Sequence, residues 1–260
     1  MSAASTSPGV LTSVATAFTF LTRIPVARWS GSQAQDLSRS TPWFPVVGVV
    51  VGSLIAAVVV AVAAAAPVWL AAVVGIVMGL AVTGALHEDG LADVADSAGA
   101  LTVAHKLAVM RDSRVGTYGV LALLLVLMMR FASLSAFAGA GWTVVAGVVI
   151  TAHVLARWSS VALMAWQPYA RPDSPNGRVA AGVGLRQAVL ASVAAAAWLA
   201  CAVILVGPWA LAAVPVAAGA VGLSGWWFRR SLGGITGDCL GATNIAVELS
   251  VLLAAALIWS

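Results

Sequence analysis

WFPVVGVVVGSLIAAVVVAV, residues 43–62, decides the fold class, because it runs without a charge inside a longer uncharged stretch from Ser40 to Leu86. As a helix rising 1.5 Å per residue it reaches about 30 Å, the thickness of a bilayer's hydrocarbon core. Its Val, Ala and Leu residues do not alternate with polar ones, as the strands of a membrane barrel do. Working outward, further uncharged stretches cover 115–129, 131–156, 187–228 and 249–260. Spans are predicted at 43–62, 68–86, 115–137, 142–163, 187–206, 209–228 and 240–260, with Pro67, Gly141 and Gly207-Pro208 marking tight turns. Hydrophobic residues make up 62% of the chain and charged ones 8%, with a mean hydropathy of +1.02. That excludes an ordinary soluble domain, in which about a quarter of residues are charged. The expected fold is all-α, a polytopic membrane bundle of about seven helices in a single domain, 1–260, with a polar tail at 1–9.

Charge placement gives the same count. If the N-terminus is cytoplasmic, the inward segments carry Arg23, Arg28 and Arg39, then Lys106, Arg111 and Arg114, then Arg171, Arg178 and Arg186, and finally Arg229 and Arg230, while the three short outward turns carry none. The polar loops, and any chemistry, are therefore expected on the cytoplasmic face of a bacterial inner membrane. The basic excess reads as topology and implies no nucleic-acid partner. The tail lacks a basic region and an Ala-x-Ala site, so no cleaved secretory peptide is expected. Val10 to Leu21 is short for a span, and a span, an interfacial helix and a packed helix all stay open. Trp43, Trp69, Trp142, Trp209, Trp226 and Trp227 fall near predicted span ends, as interfacial anchors would.

The chemistry-bearing residues form three patches. In the first, four of the nine acidic residues crowd into Glu88 to Asp96. Asp89, Asp93 and Asp96 share one helical face, and Glu88 points away from it. Like charges beside a membrane repel and resist desolvation, which a bound cation offsets; carboxylate oxygens next to a phosphate suit Mg²⁺. His87 is a candidate ligand or proton-transfer group, and a structural histidine reads equally well. The second patch holds Lys106, Arg111, Ser113, Arg114, Gly116 and Thr117. Its guanidinium groups fit phosphate oxygens, its hydroxyls and small residues let backbone close on a ligand, and its spacing is no Walker A motif. The third, Ser231 to Asn244, offers Thr236 and Asn244 to orient a substrate and Asp238 to complete an ion shell or accept a proton. Cys201 and Cys239 make neither a disulfide framework nor a metal site. Arg130 and Glu248 fall inside spans, where charge is expensive unless paired, and each is a candidate partner for the other. Arg157 either reaches the site or extends to the headgroups. Trp166 and Tyr169 are candidates to stack on a ring.

Phe20-Leu21-Thr22-Arg23-Ile24-Pro25, Phe44-Pro45-Val46-Val47-Gly48, His87-Glu88-Asp89-Gly90-Leu91-Ala92-Asp93, Met110-Arg111-Asp112-Ser113-Arg114-Val115-Gly116-Thr117, Ala156-Arg157-Trp158 and Gly233-Gly234-Ile235-Thr236-Gly237-Asp238 occur in this order. The set resembles the adenosylcobinamide-GDP ribazoletransferases, the cobalamin 5′-phosphate synthase family. The resemblance implies transfer of adenosylcobinamide phosphate from adenosylcobinamide-GDP to the 5′-hydroxyl of α-ribazole or its 5′-phosphate, with release of GMP, in the last step of coenzyme B12 nucleotide-loop assembly. It implies Mg²⁺ as the ion and leaves room for a homo-oligomer or association with other corrinoid-pathway enzymes. Asp89, Asp93, Asp96 and Asp238 would hold the ion. Asp89, Asp93, Asp238, Arg111 and Arg114 would be catalytic, and His87, Lys106, Ser113, Thr117, Arg157, Thr236 and Asn244 would bind substrate. Two rivals remain: a CDP-alcohol phosphotransferase-like lipid enzyme, whose longer aspartate signature is not reproduced, and a transporter, which needs polar access from both faces.

Overall fold

A computed structural model describes residues 9–31 and 34–259; residues 1–8 of the expected polar tail lie outside them. The helices are α1 Val10–Leu21, α2 Ala34–Ser40, α3 Phe44–Ala63, α4 Val68–Thr83, α5 Leu86–Ser97, α6 Val103–Val109, α7 Thr117–Phe137, α8 Trp142–Trp166, α9 Pro175–Ala181, α10 Leu185–Val206, α11 Trp209–Leu232 and α12 Gly237–Trp259. Among the described residues, six helical stretches are long and apolar enough to cross a membrane, or seven if the bent pair α4 and α5 counts as one broken span. The chain is thus a multi-pass helical membrane protein. The short turns 64–67, 138–141 and 207–208 cap one end, and α2, α5, α6 and α9 gather at the other.

The axis of the bundle is α8, packed by α3, α10, α11 and α12. Its closest neighbour is α3, and the reason is Gly48 and Gly52, one turn apart. A Cβ on Gly48 would stand 2.5 Å from the His153 carbonyl oxygen, and one on Gly52 would stand 2.7 Å from the Ile150 Cα. Small residues four apart let two membrane helices touch backbone to backbone, where dispersion replaces the hydrophobic drive that lipid does not supply.

One expectation about the spans needs correcting. The stretch predicted at 68–86 is helical only to Thr83, and the acidic segment is a separate helix, not the end of that span. Gly84 (φ 66°) and Ala85 (φ 57°) are both left-handed, and their N–H groups both return to the Leu80 carbonyl. Two successive left-handed residues stop the hydrogen-bond ladder, and α5 leaves at 90° to α4. The 12 residues of α1 are too few to cross, and α1 packs against α2 and α3 through Ala15, Ala17 and Leu21. Trp69, Trp142 and Trp226 are exposed as anchors would be, but Trp209 is buried edge-to-face on Trp259, centroids 5.2 Å apart. The aromatic pair satisfies it inside the bundle rather than at a headgroup.

Candidate active site

The crossing of α5 and α12 builds the site. A Cβ on Gly90 would stand 2.9 Å from the Asp238 carbonyl oxygen, and one on Gly241 would stand 3.2 Å from that of His87. The missing side chain at Gly90, and to a lesser degree at Gly241, lets α5 lie this close, which brings Asp89 and Asp93 toward Asp238 in the first turn of α12. The Thr236 hydroxyl, itself fully buried, donates to Asp238 Oδ2 (3.2 Å) and accepts the Cys239 N–H (3.3 Å), so it caps the helix and orients the carboxylate together. Arg171 approaches the same oxygen at 3.4 Å. Its loop is held by a two-bond bridge: Ala170 N–H donates to Ile235 O (2.8 Å) and Ile235 N–H to Pro168 O (2.9 Å). Tyr169 sits within that bridge, and burial raises its phenol above the ordinary range, so it stays protonated.

Beneath this rim lies a cavity of about 190 Å³. Phe20, Phe44, Met164 and Leu240 line its body, and Asp89, Asp238, Tyr169 and Asn176 its polar edge. Phe20 and Phe44 stack with centroids 6.0 Å apart. The arrangement joins an oily recess to a carboxylate-rich mouth.

Asp93 lies in the combined field of Asp238, Asp89 and Asp96. Among the described residues no three His, Cys, Asp or Glu side chains converge enough to enclose an ion by themselves. The donor chemistry nonetheless fits Mg²⁺, which takes one or two carboxylates and fills its remaining positions with water and substrate phosphate. Of the four aspartates expected to hold an ion, Asp89 and Asp238 line the mouth and Asp93 stands in their field. Asp96 instead caps α7: Gly116 N–H donates to Oδ2 (2.7 Å) and Gly119 N–H to Oδ1 (2.8 Å). A carboxylate satisfies open N–H groups at a helix start and complements its dipole.

The second patch flanks the mouth rather than lining it. Met110 is buried with its Sδ 3.9 Å from the Thr236 hydroxyl oxygen, a contact that seats the loop beginning with Arg111. Arg111, Ser113 and Thr117 are exposed, and neither they nor Lys106 line the cavity. Arg114 is engaged already: its Nε and Nη2 clasp Asp112 at 2.5 to 3.1 Å, and this holds the Asp112 carboxyl down at about 2.

Two expected substrate-binding residues lie elsewhere. Arg157 is only 2% exposed and neither reaches the mouth nor extends to headgroups; its Nη1 lies 2.7 Å from His153 Nδ1, one turn away on α8. Packing of α3 and α12 over α8 leaves it no route outward. Asn244 is also buried, and its amide donates to the Ala156 carbonyl (2.7 Å), tying α12 to α8. Trp166 is exposed outside the cavity, while Tyr169 lines it. His87 is buried and lines both this cavity and a smaller internal one of about 30 Å³.

That inner cavity borders a charged network. Arg130 on α7 holds Glu248 on α12 with two bonds, Nε to Oε1 at 2.8 Å and Nη2 to Oε2 at 2.9 Å, and reaches Glu88 Oε1 on α5 at 2.6 Å. Glu88 Oε2 and Arg157 Nε are buried without a protein partner and lie at this cavity, which is large enough for one water. The Arg130–Glu248 pairing answers the sequence expectation; the part of Glu88 does not. Arg171 and Asn176 were also missed, since the loop from Arg171 to Arg186 read only as an inward basic segment. The available signal was Arg171 flanked by Tyr169 and Asp173 in the same polar loop.

Comparison with known proteins places the chain. Residues 13–256 match the family described as Cobalamin-5-phosphate synthase. An adenosylcobinamide-GDP ribazoletransferase of Chlorobaculum tepidum is 37% identical over 254 residues, 95% of this chain and 96% of that one. Those of Shewanella woodyi and Ralstonia nicotianae are 36% and 34% identical, covering 90% of this chain and 91% and 90% of theirs. No solved structure matches. The chain belongs to the cobalamin-5-phosphate synthase family.

Proposed function

We propose that this chain catalyses the reaction its relatives are named for, transfer of adenosylcobinamide phosphate from adenosylcobinamide-GDP to α-ribazole or its 5′-phosphate. The carrying observation is the placement of Asp89 and Asp238 at the mouth of an amphiphilic cavity, with Asp93 in their field and Arg171 on the rim. The ribazole 3′-hydroxyl, which is free in both acceptors, attacks the cobinamide-side phosphorus through its oxygen; a new O–P bond forms, the bond from that phosphorus to the bridging oxygen breaks, and GMP leaves with that oxygen. The hydroxyl proton passes to Asp238 or to water. Arg171 and Arg111 offset charge on the phosphate oxygens. Tyr169, kept protonated, serves as a neutral donor at the edge.

Asp89, Asp93 and Asp238 would hold Mg²⁺, which supplies charge neutralisation to the diphosphate. The distribution of Arg and Lys supports a cytoplasmic N-terminus and a cytoplasmic mouth in a bacterial inner membrane. Glu88, Arg130 and Glu248 are mutually paired deep in the bundle, which favours structural ballast over a transport path. The test is a Mg²⁺ titration of GMP release by the protein in liposomes, for the wild type and for Asp89→Asn and Asp238→Asn. A higher Mg²⁺ requirement in the variants is expected; unchanged curves, or full activity in chelator, would remove the ion from the mechanism.

A further inference from the structure

Resting on that reading, we propose that the 190 Å³ cavity is the seat of the aromatic base of α-ribazole and sets which lower base the enzyme accepts. Size narrows the choice first. A cavity of about 150 Å³ is known to hold a benzene ring, so this one suits a somewhat larger flat ring and is far too small for a corrin macrocycle.

Three flat bicyclic bases then remain across the two substrates, the adenine and guanine of adenosylcobinamide-GDP and the dimethylated benzimidazole of α-ribazole. Both purines carry donors and acceptors on their edges, and each one buried unpaired costs about 1–3 kcal/mol. The body of the cavity offers them little. Phe20, Phe44, Met164 and Leu240 are apolar, the hydroxyl of Thr41 is spent on the Ser38 carbonyl at 2.9 Å, and His87 and Ser160 supply fewer donors and acceptors than a purine edge carries. Two methyl groups on a benzimidazole suit such walls, and the stacked Phe20 and Phe44 supply a flat aromatic face. The geometry orients the rest of the nucleoside. With the base inside, its ribose emerges at the rim where Asp89 and Asp238 stand, so the secondary ribose hydroxyls face the carboxylates. The cobinamide nucleotide stays outside and presents only its diphosphate.

The experiment uses the full chain in liposomes and measures KM for each substrate separately in Met164→Trp, which fills the cavity, and in Phe20→Ala, which widens it at an exposed position. Met164→Trp should raise KM for α-ribazole about tenfold or more and leave KM for adenosylcobinamide-GDP unchanged. Phe20→Ala should lessen the preference for α-ribazole over a riboside with a bulkier base. A rise confined to adenosylcobinamide-GDP would overturn the assignment, as would two folded variants with unchanged kinetics. If Met164→Trp does not fold, Phe20→Ala decides alone. Calorimetric binding of α-ribazole without the second substrate separates this proposal from the reaction. A wild type that binds α-ribazole, loses it in these variants and yet forms no GMP would sink the reaction and keep the cavity.

Discussion

Arg130 offers the sharpest perturbation, because one guanidinium bonds two carboxylates inside the bundle. Its side chain is 9% exposed, against 10% for Glu88 and 5% for Glu248. Among the described residues Arg130 is the one cation bonded to either; Arg130→Met removes it, and breaking a buried ion pair from one side costs about 3–5 kcal/mol. Removing one carboxylate charge as well, in Glu88→Gln/Arg130→Met, leaves Glu248 to offset the buried Arg157 and should regain most of that loss. For a chain of this size each kcal/mol shifts Tm by roughly 2–4 °C, so the single variant should melt roughly 6–20 °C lower. The assay follows the reaction of a thiol dye with Cys239, which is fully buried, in a Cys201→Ser background that removes the exposed thiol. A single variant melting within about 2 °C of the parent, or a double variant no better than the single, would refute the reasoning.

Other consequences are equally direct. Asp89→Asn, Asp93→Asn and Asp238→Asn should each lower turnover about 10²-fold or more with insertion and melting near the parent's, measured by GMP release and membrane fractionation. Asp96→Ala should behave differently, losing about 0.5–2 kcal/mol of stability through the start of α7, read in the same thiol assay, with turnover falling less than in those three. Gly90→Ala should push α5 off α12, costing about 1–3 kcal/mol and most of the activity, while Ala at Gly219, whose Cβ would meet nothing within 4 Å, should be neutral.

Much of this was legible before any coordinates. Residues 43–62 and their successors carry the span signal in composition alone, so the ends of α3, α7, α8 and α10 fall near their expected places. Helical spacing also placed Asp89 and Asp93 opposite Glu88. What spacing does not carry is tertiary competition for the same group. Asp96 shares its face with Asp89 and Asp93 yet belongs to α7, because α7 begins with open N–H groups within its reach. Arg157 read as a flexible cation near a span end; burial of α8 on all sides made it internal. The 90° turn at Gly84 and Ala85 leaves no local mark because Ala is ordinarily a helix former, and its left-handed backbone here answers to the packing of α5 on α12. Arg171 entered the site through a bridge to Ile235, some 60 residues away in the chain, a pairing that local pattern does not encode.

The most direct measurement of the central claim is product analysis of the purified protein in liposomes supplied with adenosylcobinamide-GDP, α-ribazole and Mg²⁺. The account predicts GMP and adenosylcobalamin in equal amounts, with both abolished in Asp238→Asn. GMP formed without adenosylcobalamin, or neither product from a folded and inserted wild type, would contradict it.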